Sequence, residues 1–244
     1  MQLTPKVSDL NHLNNLDNLN IRLIDLGCVS YSHGLKLQNE ASELVKEDPS
    51  KVFIFFLEHS PVITFGKNAD SSHLLVSQSE LESRGIDLVR TDRGGQVTAH
   101  MPGQLVVYPI MHLSHLGLGV KKYVELLEQT VIDFLKEYLA IEAATDPVNP
   151  GVWVGKDKIC ALGVRISSRV SRHGLALNVN SGKELFEMMV PCGIRGRSTV
   201  SLADLTSKQL DFEELKRSFS QFLSGKWFGK ECELQSFSGK LAGK

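Results

Sequence analysis

The sequence predicts a single α+β domain, a mixed β-sheet flanked by helices. Three observations carry that expectation. The chain has 244 residues, 42% hydrophobic and 23% charged, which suits one large globular domain with a sizeable core. Short apolar β-type runs, residues 52–57 the clearest, are mixed with amphipathic helical stretches. The two kinds do not alternate regularly, which argues against a doubly wound parallel sheet. The expected layout is a poorly ordered, Asn-rich arm over residues 1–20, the domain over 21–235, and a polar tail over 236–244 that frays.

Taken in order, residues 21–27 alternate loosely and end at Gly27, so they read as a strand. Residues 31–47 put Leu35, Leu37, Ala41, Leu44 and Val45 near one helical face, and Pro49 stops the helix. The continuous apolar run 52–57 implies a strand buried on both faces. A turn and a short strand follow over 59–66, a helical turn over 80–84 closed by Gly85, and a strand over 86–90. A glycine-rich polar stretch then leads into an apolar strand over 105–110. The plainest helix is 120–140, where Tyr123, Val124, Leu127, Val131, Phe134, Leu135 and Tyr138 recur every three or four residues. Asn149-Pro150-Gly151 breaks the chain ahead of strands at 152–154, 158–166 and 173–179. A short helix is expected over 183–189. Another starts at Ser201, with Asp204 as a weak capping-box partner, and 211–223 form the last helix.

Composition narrows the function. With 27 basic and 28 acidic residues the net charge is −1, so nothing demands nucleic acid or an anionic membrane as partner. Cys28, Cys160, Cys192 and Cys232 are widely spaced, and no C-x-x-C pair occurs. A zinc knuckle, a dithiol redox motif and a disulfide framework are therefore not expected. No apolar run reaches the ~18 residues of a membrane span. The first 20 residues lack the pattern of a secretory signal, and no arginine precedes Arg22. The expectation is a cytoplasmic monomer without metal or cofactor.

Four stretches hold residues suited to chemistry. Val190-Pro191-Cys192-Gly193 puts a thiol in a turn near Arg195 and Arg197, cations that favour thiolate; alone, such a cysteine is more often a small buried hydrophobe than a nucleophile. Arg93-Gly94-Gly95 pairs a planar donor with glycines that allow close backbone approach, or is simply a turn between strands. Thr98 and His100, two apart, share a face of any strand. Lys158 precedes the apolar run 159–164; it either snorkels to water or is held in an apolar site, where a lysine can act as a base. In His173-Gly174-Leu175-Ala176 small residues alternate with larger ones, either to line a narrow apolar slot or only to pack.

The four blocks together resemble one family. Arg93-Gly94-Gly95-Gln96-Val97-Thr98-Ala99-His100 with Pro102-Gly103-Gln104 and Tyr108, Lys158-Ile159 with Gly163, His173-Gly174-Leu175-Ala176-Leu177-Asn178, and Pro191-Cys192-Gly193 are similar in order and spacing to the lipoyl(octanoyl) transferases. The resemblance runs over residues 21–223. It implies the fold of lipoate and biotin protein ligases. It implies transfer of octanoyl from acyl carrier protein to a lysine of lipoyl domains, those of 2-oxoacid dehydrogenase E2 subunits and the glycine cleavage H protein. It further implies that Cys192 carries the acyl group as a thioester with Lys158 as its base. Arg93, Gly94, Gly95, Gln96, Val97, Thr98, Ala99, His100, Ala161, Leu162, Gly163, Gly174, Leu175 and Ala176 would form the acyl pocket. N–H groups near the pocket glycines would hold the tetrahedral oxyanion. Ala99 replaces the family's usual aromatic residue and Val190 its usual Asn, which leaves chain-length preference open. The alternatives are an ATP-dependent ligase on the same fold, which needs no cysteine, and a non-catalytic module that binds lipoyl domains or carrier protein.

Overall fold

The computed structural model describes residues 13, 15–190 and 198–241. The chain opens with β1 (Asn20–Val29), α1 (Tyr31–Glu47) and β2 (Lys51–His59). These form a crossover unit in which β1 and β2 pair in parallel. The Ser30 hydroxyl accepts from the His33 N–H and starts α1; the helix ends one residue short of the Asp48-Pro49 pair, as a following proline requires. Next come β3 (Val62–Phe65), α2 (Gln78–Ser83), β4 (Asp87–Arg90), β5 (Val97–His100) and β6 (Gln104–Ile110). The helix α3 (Val120–Leu139) leads to β7 (Ala144–Thr145), β8 (Gly151–Val154), β9 (Asp157–Ser167) and β10 (Val170–Asn178). The short α4 (Glu184–Glu187), α5 (Leu202–Thr206), α6 (Phe212–Phe228) and β11 (Leu234–Ser236) complete the described elements.

Among the described residues, eight strands form a mixed sheet in the order β11-β1-β2-β6-β10-β9-β8-β7, and three form a small second sheet, β4-β3-β5. The run in β2 is buried on both faces, as its unbroken hydrophobicity predicts. Phe53, Phe55 and Leu57 pack with Leu37, Ala41 and Val45 of α1. Val52, Ile54 and Phe56 share the opposite core with Tyr123, Leu127 and Phe134 of α3 and Phe219 of α6. A third cluster, with Ile63, Phe65 and Ala99, joins the small sheet to Leu81 of α2 and to Leu185 and Phe186 of α4.

Two findings go beyond the expectations. Ser201 and Asp204 form a full reciprocal capping box, although Asp is shorter than the usual partner. Residues 234–241 are tied down, whereas a tail fraying from 236 was expected. There β11 pairs in parallel with β1, the Phe237 N–H donates to the Asp25 carbonyl, and Leu241 is buried beside β2 and α1. The Arg22 guanidinium also donates to the Leu241 carbonyl. No helix among the described residues is long and apolar enough to cross a membrane.

Candidate active site

A cavity of about 360 Å³ lies where the 91–96 loop of the small sheet meets β9 and β10 of the large one. Its walls include Arg93 to Thr98, His100, Ala161 to Gly163 and Gly174 to Ala176. Thus every pocket residue expected from sequence lines it except Ala99. That side chain points the other way along β5, into the core beneath the small sheet. Gly163 and Gly174 are cross-strand partners, as are Ala161 and Ala176, so the wall carries two rows of small residues. Gly174 also serves packing: a Cβ there would lie 2.2 Å from the Val107 carbonyl oxygen of β6.

The Arg93 guanidinium is largely engaged by the protein itself. Its Nε donates to Thr64 Oγ1 at 3.2 Å, Nη2 donates to the Thr64 carbonyl at 2.6 Å, and Nη1 donates to the Gly94 carbonyl at 3.1 Å. It therefore clamps the glycine turn onto β3, while its side chain still lines the cavity. The Gly94 N–H donates to the Val164 carbonyl at 3.0 Å, so Gly94 is not a free oxyanion donor. Gly66, which the sequence reading passed over, completes this corner. A Cβ at Gly66 would sit 2.4 Å from the Gly95 carbonyl oxygen, so only glycine lets the turn close.

Lys158 is 7% exposed and lines the cavity. Its Nζ donates to the Pro150 carbonyl at 3.1 Å and stands 4.7 Å from the centre of the Trp153 ring, a favourable cation–π placement. Its backbone is gripped as well: its N–H donates to the Ser198 carbonyl and its carbonyl accepts from Val200. Gly151, at φ +138°, makes room for it, because a Cβ there would lie 3.3 Å from Nζ and 2.7 Å from the Cys160 carbonyl oxygen. Two strand positions on, burial pushes the Cys160 thiol up to about 12, so this cysteine is an inert core residue. Cys192, the expected nucleophile, lies outside the described residues.

Three imidazoles gather behind the glycine turn. His59 Nδ1 lies 2.9 Å from the Val29 carbonyl, so it carries the proton, and Nε2 accepts from the Tyr108 hydroxyl at 2.8 Å. His173 Nε2 faces Asp92 Oδ1 at 3.0 Å, and the Gln38 side chain accepts from the His173 backbone N–H at 2.7 Å. Burial lowers both His59 and His173 to about 4. His100 is also driven well below the usual imidazole range by burial, with His59 adding to the effect. Its Nδ1 donates to Gln104 Oε1 at 3.2 Å, since the Gln104 amide N–H groups go to Asn178 Oδ1 and the Ala99 carbonyl. All three rings are neutral at pH 7, each in one tautomer. His100 and His173 line the cavity and give it a fixed polar end, with His59 packed behind His100.

Sequence reasoning missed His59, Tyr31 and Glu128, as well as the glycines at 66 and 151. The Tyr31 ring stacks 6.0 Å from His100 and lines the cavity. The Glu128 Oε1 accepts from the Gly151 N–H at 2.8 Å. The only sequence signal for either glycine is its position beside a short strand.

Walls of small residues, a polar end and a buried lysine give this cavity room for a slender, mainly apolar group. The fold is shared with solved structures: a bi-partite lipoate protein ligase from Thermoplasma acidophilum, studied with its E2 lipoyl domain, superposes with a TM-score of 0.71 at 14% identity, over 91% of this chain and 88% of that one. Residues 30–224 match the lipoyl protein ligase A/B catalytic domain, and the chain belongs to that family. An octanoyltransferase of Alkaliphilus metalliredigens is 41% identical over 194 residues, 80% of this chain and 89% of the relative. The mitochondrial octanoyltransferase LIP2 of Arabidopsis thaliana is 41% identical over 190 residues, 78% of this chain and 81% of the relative.

Proposed function

We propose that this chain is an octanoyltransferase of protein lipoylation, taking octanoyl from acyl carrier protein and delivering it to a lysine of a lipoyl domain. The observation that carries this reading is the cavity of about 360 Å³, walled by three of the four sequence blocks with Lys158 in its lining. Its octanoyltransferase relatives support the same reading. The lipoyl domains of E2 subunits and of the glycine cleavage H protein are the acceptors. Free thiols at Cys28, Cys160 and Cys232 suit a reducing, cytoplasmic setting.

The reaction runs in two exchanges. The Cys192 thiolate attacks the donor thioester carbonyl, forms its own thioester and releases the carrier thiol. The acceptor lysine amine then attacks that carbonyl, forms the amide and releases the Cys192 thiol. Lys158 takes the thiol proton before the first exchange and returns it to the departing carrier sulfur; it then takes the amine proton during the second and returns it to the departing Cys192 sulfur. The first exchange trades one thioester for another and is near balance; the second makes an amide and runs downhill. The wall rows of Gly163, Gly174, Ala161 and Ala176 leave width for a methylene chain.

Intact-mass analysis after mixing with octanoyl-carrier protein tests the reading. The expected result is one octanoyl adduct on the native chain, none on Cys192→Ser, and transfer to an isolated lipoyl domain without ATP. An active Cys192→Ala variant, or pyrophosphate release from ATP and free octanoate, would overturn it.

A further inference from the structure

Resting on the reading of Lys158 as the base, we infer that Glu128 is a positioning residue that holds the Lys158 ammonium in place through the single peptide group joining Pro150 to Gly151. The geometry is specific. That peptide's carbonyl accepts from Lys158 Nζ at 3.1 Å, while its N–H donates to Glu128 Oε1 at 2.8 Å. A cation and a carboxylate therefore grip opposite ends of one amide, an arrangement in which each hydrogen bond polarises and strengthens the other. Glu128 comes from α3, is 8% exposed, and is brought to the 149–151 turn only by the packing of α3 on β8 and β9.

A buried carboxylate is costly unless its partners justify it. Burial pushes the Glu128 carboxyl up, Glu125 on the same helix adds to this, and the Gly151 N–H and the charge of Lys158 pull it back. Among the described residues, the groups facing Lys158 include the Trp153 ring on β8, the Cys160 thiol on β9 and Glu128 on α3. Cys160 is protonated at neutral pH, which leaves Glu128 as the charge among these three. Glycine at 151 completes the device, because any Cβ there would press on the lysine tip.

The experiment compares Glu128→Gln and Glu128→Leu with the native chain. Gln keeps an acceptor for the Gly151 N–H and removes the charge; Leu removes both. The carbon-13 signal of the lysine ε-carbon, assigned to Lys158 through Lys158→Arg, reports its titration without reference to turnover. In Glu128→Gln that midpoint should move to lower pH, because a lost carboxylate no longer favours the ammonium. The acid limb of the transfer rate should move with it. Glu128→Leu should lose about 10- to 100-fold in kcat from misplacement. A carboxylate that only braces the turn would lower the unfolding midpoint and leave both titration and pH profile in place. Superimposable Lys158 titrations in the native and Glu128→Gln proteins would overturn the inference, even if Glu128→Leu does not fold. Full activity in Lys158→Ala would instead overturn the reading on which the inference rests.

Discussion

Among the described residues two lysines are buried, and in different settings. Lys216 on α6 is 4% exposed, and its Nζ meets Asp25 of β1 at 2.6 Å and Glu213 at 2.8 Å. Burial disfavours its charge, but the two carboxylates more than offset this and hold the ammonium above its ordinary range. Lys158, 7% exposed, instead meets a peptide carbonyl and an indole face, with Glu128 acting from the far side of the peptide. Lys216 is locked by direct ion pairs into the junction of a strand and a helix. Lys158 lies at the wall of a cavity, where the Pro150 carbonyl and the Trp153 indole are among the groups that hold it. On the proposed reading, a cation that keeps its proton is surrounded by carboxylates, whereas one that passes it on is held through a polarised dipole.

The sharpest way to break that contrast is to truncate each lysine. Lys158→Ala should lower octanoyl transfer by about 10²- to 10⁴-fold, the usual range for a positioned general base, with little change in the unfolding midpoint. Lys216→Ala should do the reverse. It strands the Asp25 carboxylate at a buried junction, so urea unfolding should show a loss of about 3 kcal/mol with turnover within about threefold of native. Transfer assays and denaturation curves on both variants check the pair. A stability loss in Lys158→Ala larger than that in Lys216→Ala would collapse the distinction.

A third basic arrangement lies beside the first. His59 and His173 are buried without their charge, each lowered by burial from 6.5 to about 4. Between those two values the unfolded chain takes up protons that the folded chain refuses. Stability is therefore complete above about pH 6.5 and falls with pH through that window, by about 1.4 kcal/mol per pH unit for each imidazole. Each contributes a loss on the order of 3 kcal/mol by pH 4. In His59→Gln one such group is gone, and the plot of unfolding free energy against pH should be correspondingly shallower. A native slope in that variant would mean that His59 is not neutral in the folded protein.

The sequence was informative where a property is local. The end of α1 follows from Pro49, and the double burial of β2 from its unbroken apolar run. The residues around the cavity were expected through the family resemblance; by themselves, the small residues at alternate positions of β10 fitted a slot or plain packing alike. What sequence could not reveal depends on distant chain segments meeting. Glu128 reads as one more charged position on an amphipathic helix until α3 is laid against Gly151. The small sheet joins three short strands whose pairing is not local. The anchored carboxyl end depends on Leu241 finding a space between β2 and α1. Ala99 was included in the pocket through the resemblance, but its side chain joins the core beneath the small sheet.

The smallest expected effect sharpens the contrast from the backbone side. Lys158 owes its backbone position partly to residues 198–200, whose groups bond to its N–H and carbonyl. That stretch runs directly into the capping box, where Ser201 Oγ accepts from the Asp204 N–H at 3.2 Å and Asp204 Oδ2 accepts from the Ser201 N–H at 3.0 Å. Ser201→Ala should cost about 1 kcal/mol of stability, the usual worth of an N-cap. If the lysine is held chiefly through its side chain, by the Pro150 carbonyl and the indole, transfer should change by less than about threefold, because that cost falls on α5 and leaves the tip of Lys158 in place. A tenfold loss of kcat in a variant this mildly destabilised would mean instead that the main-chain grip on Lys158 sets the geometry of its amine.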